Sequence, residues 1–593
     1  MQDISNDEAG ELVRPAEARA TAQVSFADGR VYEAPLWTPL EAYVRAAGEE
    51  RPWPVPIVAA LIDEELRELT YHIERDVEVT PLGMDDRDGS RIYRRSLTFL
   101  LVVAARELHP EVRLAVDHSV TFGGYYCEVV GRPPFTPEEL AAIEARMREI
   151  VASDAPIDKA RVPLEEAIAL YRGRGDEDEA RLLSHRHHKD YLVLYDLRGW
   201  RDYFHGYMTP SAGYLHYFGL HHYPPGFILR FPPRTCLDLD PVVDYPKLIH
   251  VFREYGNTLR LLGIENVGAL DEAVEAGRTN EIILVAEALH EQRIARIATQ
   301  IADGARQGTE GARQGAEGRD AVRLVLIAGP SASGKTTFSK QLAVQLLANG
   351  IRPIAIELDS YFVDRELTPR DEQGNFNFEV LEALDLPLLN EHLLRLMAGE
   401  EVALPKFDFV AGVRVPGATI QLGPDQVLIV EGIHGLNPRL TPNIPPERIY
   451  RAYVSALTQL NIDRYNRVPT TDTRLLRRIV RDARTRGYAA AETIVRWESV
   501  HRGEREHIFP FQENADAMFN SALVYELGVL KPLAEPLLLA IEPGKPGHIE
   551  AKRLLAFLAW FEPIPVDPIP DNSILREFTG GSNLERFEPW RKG

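Results

Sequence analysis

Gly329-Pro330-Ser331-Ala332-Ser333-Gly334-Lys335-Thr336-Thr337 follows the short apolar run Leu324-Val325-Leu326-Ile327-Ala328 and precedes Phe338-Ser339-Lys340-Gln341-Leu342-Ala343-Val344-Gln345-Leu346-Leu347. Strand, glycine-rich turn and helix form the setting in which G-x-x-x-x-G-K-[ST] cradles phosphate. Gly334 lets the backbone approach an anion. Successive N–H groups and the positive helix end then point at that anion. The candidate phosphate-binding residues are Gly329, Ser331, Ala332, Ser333, Gly334, Lys335, Thr336 and Thr337. Lys335 is placed to reach the β- and γ-phosphates, and the Thr336 hydroxyl to hold Mg²⁺. A dinucleotide fingerprint would need a third glycine and no such lysine.

Two more apolar runs end in acids. Arg352-Pro353-Ile354-Ala355-Ile356-Glu357-Leu358-Asp359-Ser360-Tyr361-Phe362 reads as a second buried strand, and Gln426-Val427-Leu428-Ile429-Val430-Glu431-Gly432 as a third. Ligands of parallel α/β sheets sit beyond the carboxyl ends of the strands. Asp359 is therefore expected to face the phosphates and accept a proton from an attacking hydroxyl, and to stand near the metal. Glu431 takes the position where a carboxylate orients Mg²⁺ or its waters. Downstream, Arg474, Arg477, Arg478 and Arg481 share one face of an amphipathic helix, with Leu475, Leu476, Ile479 and Val480 along the other side. That stripe is expected to be a lid supplying arginine to the transferring phosphoryl group, Arg478 and Arg481 with Lys335 being the catalytic cations.

These segments, with Asn375-Phe376-Asn377-Phe378, Pro405-Lys406-Phe407-Asp408-Phe409 and Val430-Glu431-Gly432-Ile433-His434, resemble uridine kinase in the same order over about residues 321 to 500. The resemblance is to the uridine kinase and phosphoribulokinase group of P-loop kinases. It implies ATP- or GTP-dependent phosphorylation of a nucleoside 5′-hydroxyl, uridine or cytidine first, with Asp359 as base. It also implies a nucleoside pocket drawn from Asp359, Tyr361, Phe407, Arg414 and Arg474. Two positions depart from the pattern. A base-reading histidine falls on Gly412, and a nucleoside-binding glutamine on Glu492. Losing a base-reading hydrogen bond changes specificity by orders of magnitude.

Toward the N-terminus, Ala22-Gln23-Val24-Ser25-Phe26 and Val31-Tyr32-Glu33-Ala34 alternate about the turn Ala27-Asp28-Gly29-Arg30, and Pro56 to Leu66 reads as a strand entering a turn. Residues 21–88 resemble the β-grasp TGS module of threonyl-tRNA synthetases, which has no chemistry of its own. An amphipathic helix at Arg94–Leu108 and a helix opened by Thr136 as N-cap with Pro137 at its first position follow. Residues 89–235 resemble the second, editing domain of those synthetases. That domain's H-x-x-x-H pair falls here on Arg95 and Phe99, and its Cys-x-x-x-His pair on Phe204 and Met208. The fold is expected to be kept and the editing site absent. His185, His187, His188, His205, His216, His221 and His222 have no ligand-set spacing and are expected to be surface or core residues.

The expected architecture is an α/β multidomain chain. Residues 1–20 are a disordered tail, 21–88 the TGS-like domain, 89–235 the editing-like domain and 236–303 a helical connector. The repeat Gly304-Ala305-Arg306-Gln307-Gly308 and Gly311-Ala312-Arg313-Gln314-Gly315 marks 304–320 as a flexible linker. Residues 321–540 form a P-loop kinase with a parallel sheet flanked by helices. Residues 541–593 are a tail packing on it. At 593 residues with a net charge of −22, a general nucleic-acid coat or an anionic membrane surface is an unfavourable partner. Two cysteines, Cys127 and Cys236, make neither a disulfide framework nor a four-thiolate zinc site. Without a signal segment or a bilayer-length apolar run, a cytoplasmic setting is expected. Homo-oligomerisation and RNA contact by the N-terminal half are expectations from the resemblance. The competing readings are a nucleotide-switched, translation-linked RNA-binding regulator, and a kinase of another small alcohol or a sugar phosphate.

Overall fold

Five buried residues in a row, Leu324–Ala328, make the central strand of a sheet with both faces covered, because an apolar run without alternation has no face to give to water. The computed structural model describes residues 19–186, 189–313, 321–371 and 374–587. His187, His188, most of the expected N-terminal tail and residues 314–320 of the expected linker lie outside them. The chain divides into two units, one of Met1–Arg113, Val129–Arg161 and Val193–Asp240, the other of Leu114–Glu128, Val162–Leu192 and Pro241–Gly593. The editing-like stretch is thus divided between the two units.

In the first unit, Thr21–Phe26 alternates between buried and half-buried positions and pairs antiparallel with Val31–Pro35. The sheet order is Val31–Pro35, Thr21–Phe26, Val77–Gly83, Ile57–Ile62, Glu65–Glu68. The helix Leu40–Glu50 packs Leu40, Tyr43, Val44 and Ala47 on its apolar face. A mixed sheet grasping one helix is the β-grasp arrangement. Thr136 caps Pro137–Ala152, its hydroxyl accepting from Glu139 N while Glu139 accepts from Thr136 N. The four positions that the resemblance assigns to editing come together in space. Phe99 and Phe204 rings lie 5.0 Å apart, Arg95 donates to the Tyr207 carbonyl at 2.5 Å, and Ser96 Oγ is 3.7 Å from Met208 Sδ. Apolar packing fills the place of a metal-binding set.

The second unit holds the parallel sheet. Its strands, counted from the central one, are β1 (Leu324–Ala328), β2 (Arg352–Glu357), β5 (Gln426–Glu431), β6 (Ile449–Ser455) and β7 (Ala517–Asn520). The hairpin β3 (Glu401–Asp408) and β4 (Val413–Gln421) stands apart. The sheet order is β2-β5-β1-β6-β7, with every neighbouring pair parallel. The chain steps to one side of β1 and then to the other, so the switch point falls beside β1, where such sheets bind ligands. The helices that matter below are α1 (Lys335–Ala348), α2 (Leu386–Met397), α3 (Thr470–Arg486) and α4 (Ala490–His507).

One expectation about the connector changes. A helix runs unbroken over Thr279–Arg313, through the first half of the stretch read as a linker. Alanine, arginine and glutamine are good helix formers and offset the glycines. Gly304 also lies against Val322, and Val322 N donates to the Gly304 carbonyl at 3.3 Å, so this part of the helix is packed.

Candidate active site

β1 delivers Gly329 to the mouth of the sheet, where only glycine fits. A Cβ there would stand 1.9 Å from the Val454 carbonyl oxygen on β6. The turn that follows uses left-handed backbone at Ala332 (φ 57°) and Gly334 (φ 87°), Gly334 being the residue that opens α1. Outside the turn, Arg474 donates to the Ser331 carbonyl at 3.0 Å, Arg477 to that of Ala332 at 3.4 Å, and Ser521 Oγ to that of Ser333 at 2.5 Å. Three successive carbonyls are thereby held outward, while the Ser333 N–H closes the turn on the Pro330 carbonyl at 3.3 Å. Ser333 Oγ is buried with no hydrogen-bond partner. Lys335 Nζ donates to the Pro330 carbonyl at 3.1 Å.

Two strand-end acids flank this turn. Glu431 sits opposite Glu357 in the β2–β5 register and opposite Ile327 on β1. Its carboxylate accepts from Thr336 Oγ1 at 2.9 Å. Crowding by protein raises its pKa to about 7, against the pull of Lys335 and the Thr336 hydroxyl, while Glu577 and Glu357 push it further up. Asp359 lies in the single helical turn Leu358–Tyr361 after β2. Solvent still reaches the residue, yet the surrounding walls raise its pKa; Lys335 opposes the rise and Glu357 adds to it. A third acid in the same field is Glu379, which the sequence reading passed over. Burial lifts it to about 7 with Glu504 and Asp359 adding, opposed by Arg478 and Lys335. It fits only because Gly503 has no side chain: a Cβ there would lie 2.6 Å from Glu379 Cβ.

The arginine stripe divides. Arg478 reaches the loop, donating to Ser331 Oγ at 2.9 Å and to Asp482 at 3.2 Å. Arg481 is half-buried and pairs with Asp482 at 3.1 Å. Arg474 and Arg477 are 1% and 0% exposed and pair with Glu504 and Glu526 beneath the loop. Arg474 is therefore not available to a nucleoside pocket in this structure, since both terminal nitrogens are engaged by Glu504.

Two other expected pocket residues are also core. Tyr361 is fully buried, with its hydroxyl 3.1 Å from His392 Nδ1 on α2. Phe407 is 4% exposed and packs edge-on against Phe362 and Phe409, with ring centroids 5.7 Å and 5.2 Å away. Both side chains fill one buried apolar cluster rather than line a ligand wall. Arg414 remains half-buried on β4, pairing with Asp385 at 2.7 Å.

The two departures from the uridine kinase pattern have local causes. Gly412 carries φ 75°, and a Cβ there would meet the Arg365 guanidinium at 2.8 Å. Arg365 N in turn donates to the Gly412 carbonyl at 2.8 Å. Glu492 accepts from Ala489 N at 3.1 Å and so caps α4.

Residues 324–526 match the model of the Phosphoribulokinase / Uridine kinase family. The N-terminal region is similar to threonine–tRNA ligases: 32% identity over 163 residues to that of Acidovorax sp. (strain JS42), and 34% over 163 residues to that of Methylococcus capsulatus. Each match covers 28% of this chain and 25% of the relative, so the chain spans about a quarter of the length of the curated relatives it matches. A solved chain described as a possible uridine kinase from Bacillus stearothermophilus is 22% identical, covering 34% of this chain and 89% of its own, with a TM-score of 0.23.

Proposed function

We propose that residues 321–540 transfer the terminal phosphoryl group of ATP or GTP to the hydroxyl of a small alcohol, with the 5′-hydroxyl of uridine or cytidine the first acceptors to test. The observation that carries this reading is the placement of Asp359 and Glu431 at strand ends beside one loop, both within the field of Lys335. A pure nucleotide switch has no use for a base beside an acceptor hydroxyl. Asp359, whose pKa the surrounding walls raise, takes the acceptor proton; the freed oxygen attacks the γ-phosphorus and the bond to the β-phosphate oxygen breaks. Lys335 and Arg478 compensate charge on the moving phosphoryl oxygens.

The loop fits a phosphate chain. Gly329 leaves no room for a side chain, Ser333 Oγ is an unsatisfied buried atom, and the carbonyls are held outward. Thr336 and Glu431 form an all-oxygen pair suited to Mg²⁺, which keeps several waters and needs few protein ligands. Mg²⁺ there would neutralise phosphate charge. Among the described residues no group of three or more His, Cys, Asp or Glu could hold a metal by itself. For the N-terminal unit the packing of Phe99 on Phe204 supports a binding or regulatory role over hydrolysis.

The acceptor is tested by following transfer of labelled γ-phosphate from ATP to uridine, cytidine, purine nucleosides and sugar phosphates. Label on uridine or cytidine is the expected result. Label only on a sugar phosphate would move the enzyme to another acceptor class.

A further inference from the structure

The segment Ser573–Gly580 is seated on the phosphate loop itself. Ser573 Oγ donates to Glu287 at 2.5 Å, and Arg484 of α3 donates to the Glu577 and Phe578 carbonyls at 3.1 Å and 3.3 Å. The Ile574 side chain faces Gly334, where a Cβ would come within 2.6 Å of its Cγ2. The Arg477 guanidinium lies 4.9 Å from the Phe578 ring centroid. In this setting the Glu577 carboxylate accepts from both Thr337 N, at 3.2 Å, and Thr337 Oγ1, at 2.9 Å.

Thr337 lies in the first turn of α1. Its N–H is one of the donors that a helix opening in a phosphate loop offers to an anion. A carboxylate there satisfies the same donors, carries the same sign of charge and draws on the same helix dipole. A second carboxylate, Glu504, takes the Ser331 N–H at 2.9 Å, but it is neutralised by Arg474. Among the described residues no cation pairs with the Glu577 carboxylate, which takes the two Thr337 donors, and Arg484 reaches only its backbone carbonyl.

We infer that Glu577 is an intramolecular phosphate mimic: the segment Ser573–Gly580 latches the loop, and an incoming nucleotide must displace the carboxylate from Thr337. This rests on the nucleotide reading above. The latch holds the loop in shape without ligand and sets a threshold on nucleotide affinity. Arg484 ties the backbone of the same segment to α3, so the latch and the arginine helix share one anchor.

Titration of the full-length protein with Mg²⁺ and ADP tests the latch. Glu577→Gln keeps the size and removes the charge, so it should bind ADP about 3- to 10-fold more tightly than wild type, the competing state having been weakened. Hydrogen exchange at 573–579 of the wild type should speed up when ADP is added. Unchanged or weaker ADP binding by Glu577→Gln, or exchange that slows or stays the same, overturns the latch. Lys335→Ala, titrated alongside, reports on the nucleotide reading separately: undiminished ADP binding there would remove the cradle, whatever Glu577 does.

Discussion

Arg474 and Glu504 form a bidentate ion pair at 2.5 Å and 2.8 Å beneath the phosphate loop, and Glu504 passes the contact on to the Ser331 amide at 2.9 Å. Burial alone would raise the Glu504 carboxyl; Arg474, with His501 hydrogen-bonded beside it, instead holds it well below the usual carboxylate range. The pair is a strut. Breaking one side leaves a buried charge unpaired, so Arg474→Met should lower stability by about 3–5 kcal/mol. Urea unfolding measures this, and replacing Glu504 by Gln as well should recover part of the loss. Arg478→Met should lower stability less than Arg474→Met, because Asp482 keeps Arg481 and Arg486 as partners, and should reduce turnover, because the loop loses its contact at Ser331 Oγ.

Asp359→Asn should lower turnover by about 10²- to 10⁴-fold, the range for loss of a general base. The apparent nucleotide affinity should change little, because among the described residues the loop amides at Ser331, Ser333 and Thr337 bond to groups other than Asp359. Steady-state rates at varied ATP separate the two effects. Turnover within a few-fold of wild type would remove the base assignment.

Glu431 should make stability depend on pH with a definite sign. Its pKa lies near 7 in the fold and near 4.5 unfolded, so the native state holds the proton more tightly across that window. Stability from this group is present below about pH 4.5 and lost as pH rises toward 7. Lys335 and the Thr336 hydroxyl work against the shift, and Glu357 and Glu577 work for it. Glu431→Gln should therefore gain stability relative to wild type as pH rises from 5 to 7.5, read as the difference in thermal midpoints of nucleotide-free protein. A difference that does not vary with pH would contradict the account.

Gly412→His tests whether the departure from the uridine kinase pattern is reversible. At φ 75°, with the Arg365 guanidinium 2.8 Å from a Cβ, any side chain is strained. The substitution should cost about 1–3 kcal/mol, as left-handed strain does, and should not restore base reading unless Arg365 is also shortened. Thermal unfolding of the single and double variants decides it.

The loop was legible because the motif is local: nine consecutive residues, a strand before and a helix after. Asp359 and Glu431 were legible because strand ends in a parallel sheet have a fixed geometry relative to that loop. What could not be read was long-range. Arg474 looks like its neighbours until Glu504, 30 residues on, and Arg477 until Glu526, 49 residues on, draw them inward. Tyr361 and Phe407 carry the composition of a ligand wall and of a core equally well. Glu577 gave no signal at all, since its partner Thr337 lies 240 residues earlier. Glu379 could have been suspected from an acid beside the Asn375–Phe378 segment. At Gly304 composition argues for flexibility, while Val322 supplies packing that the local sequence does not announce.

The most direct test of a phosphate loop, two strand-end acids and a cationic border acting as one phosphotransfer site is acceptor-dependent ADP release. It is measured with full-length protein, Mg²⁺ and ATP, for wild type, Lys335→Ala and Asp359→Asn in parallel. The account predicts release that rises several-fold when uridine or cytidine is added to wild type, and no rise in either variant. Release that ignores every acceptor, or that persists in Lys335→Ala, would contradict it.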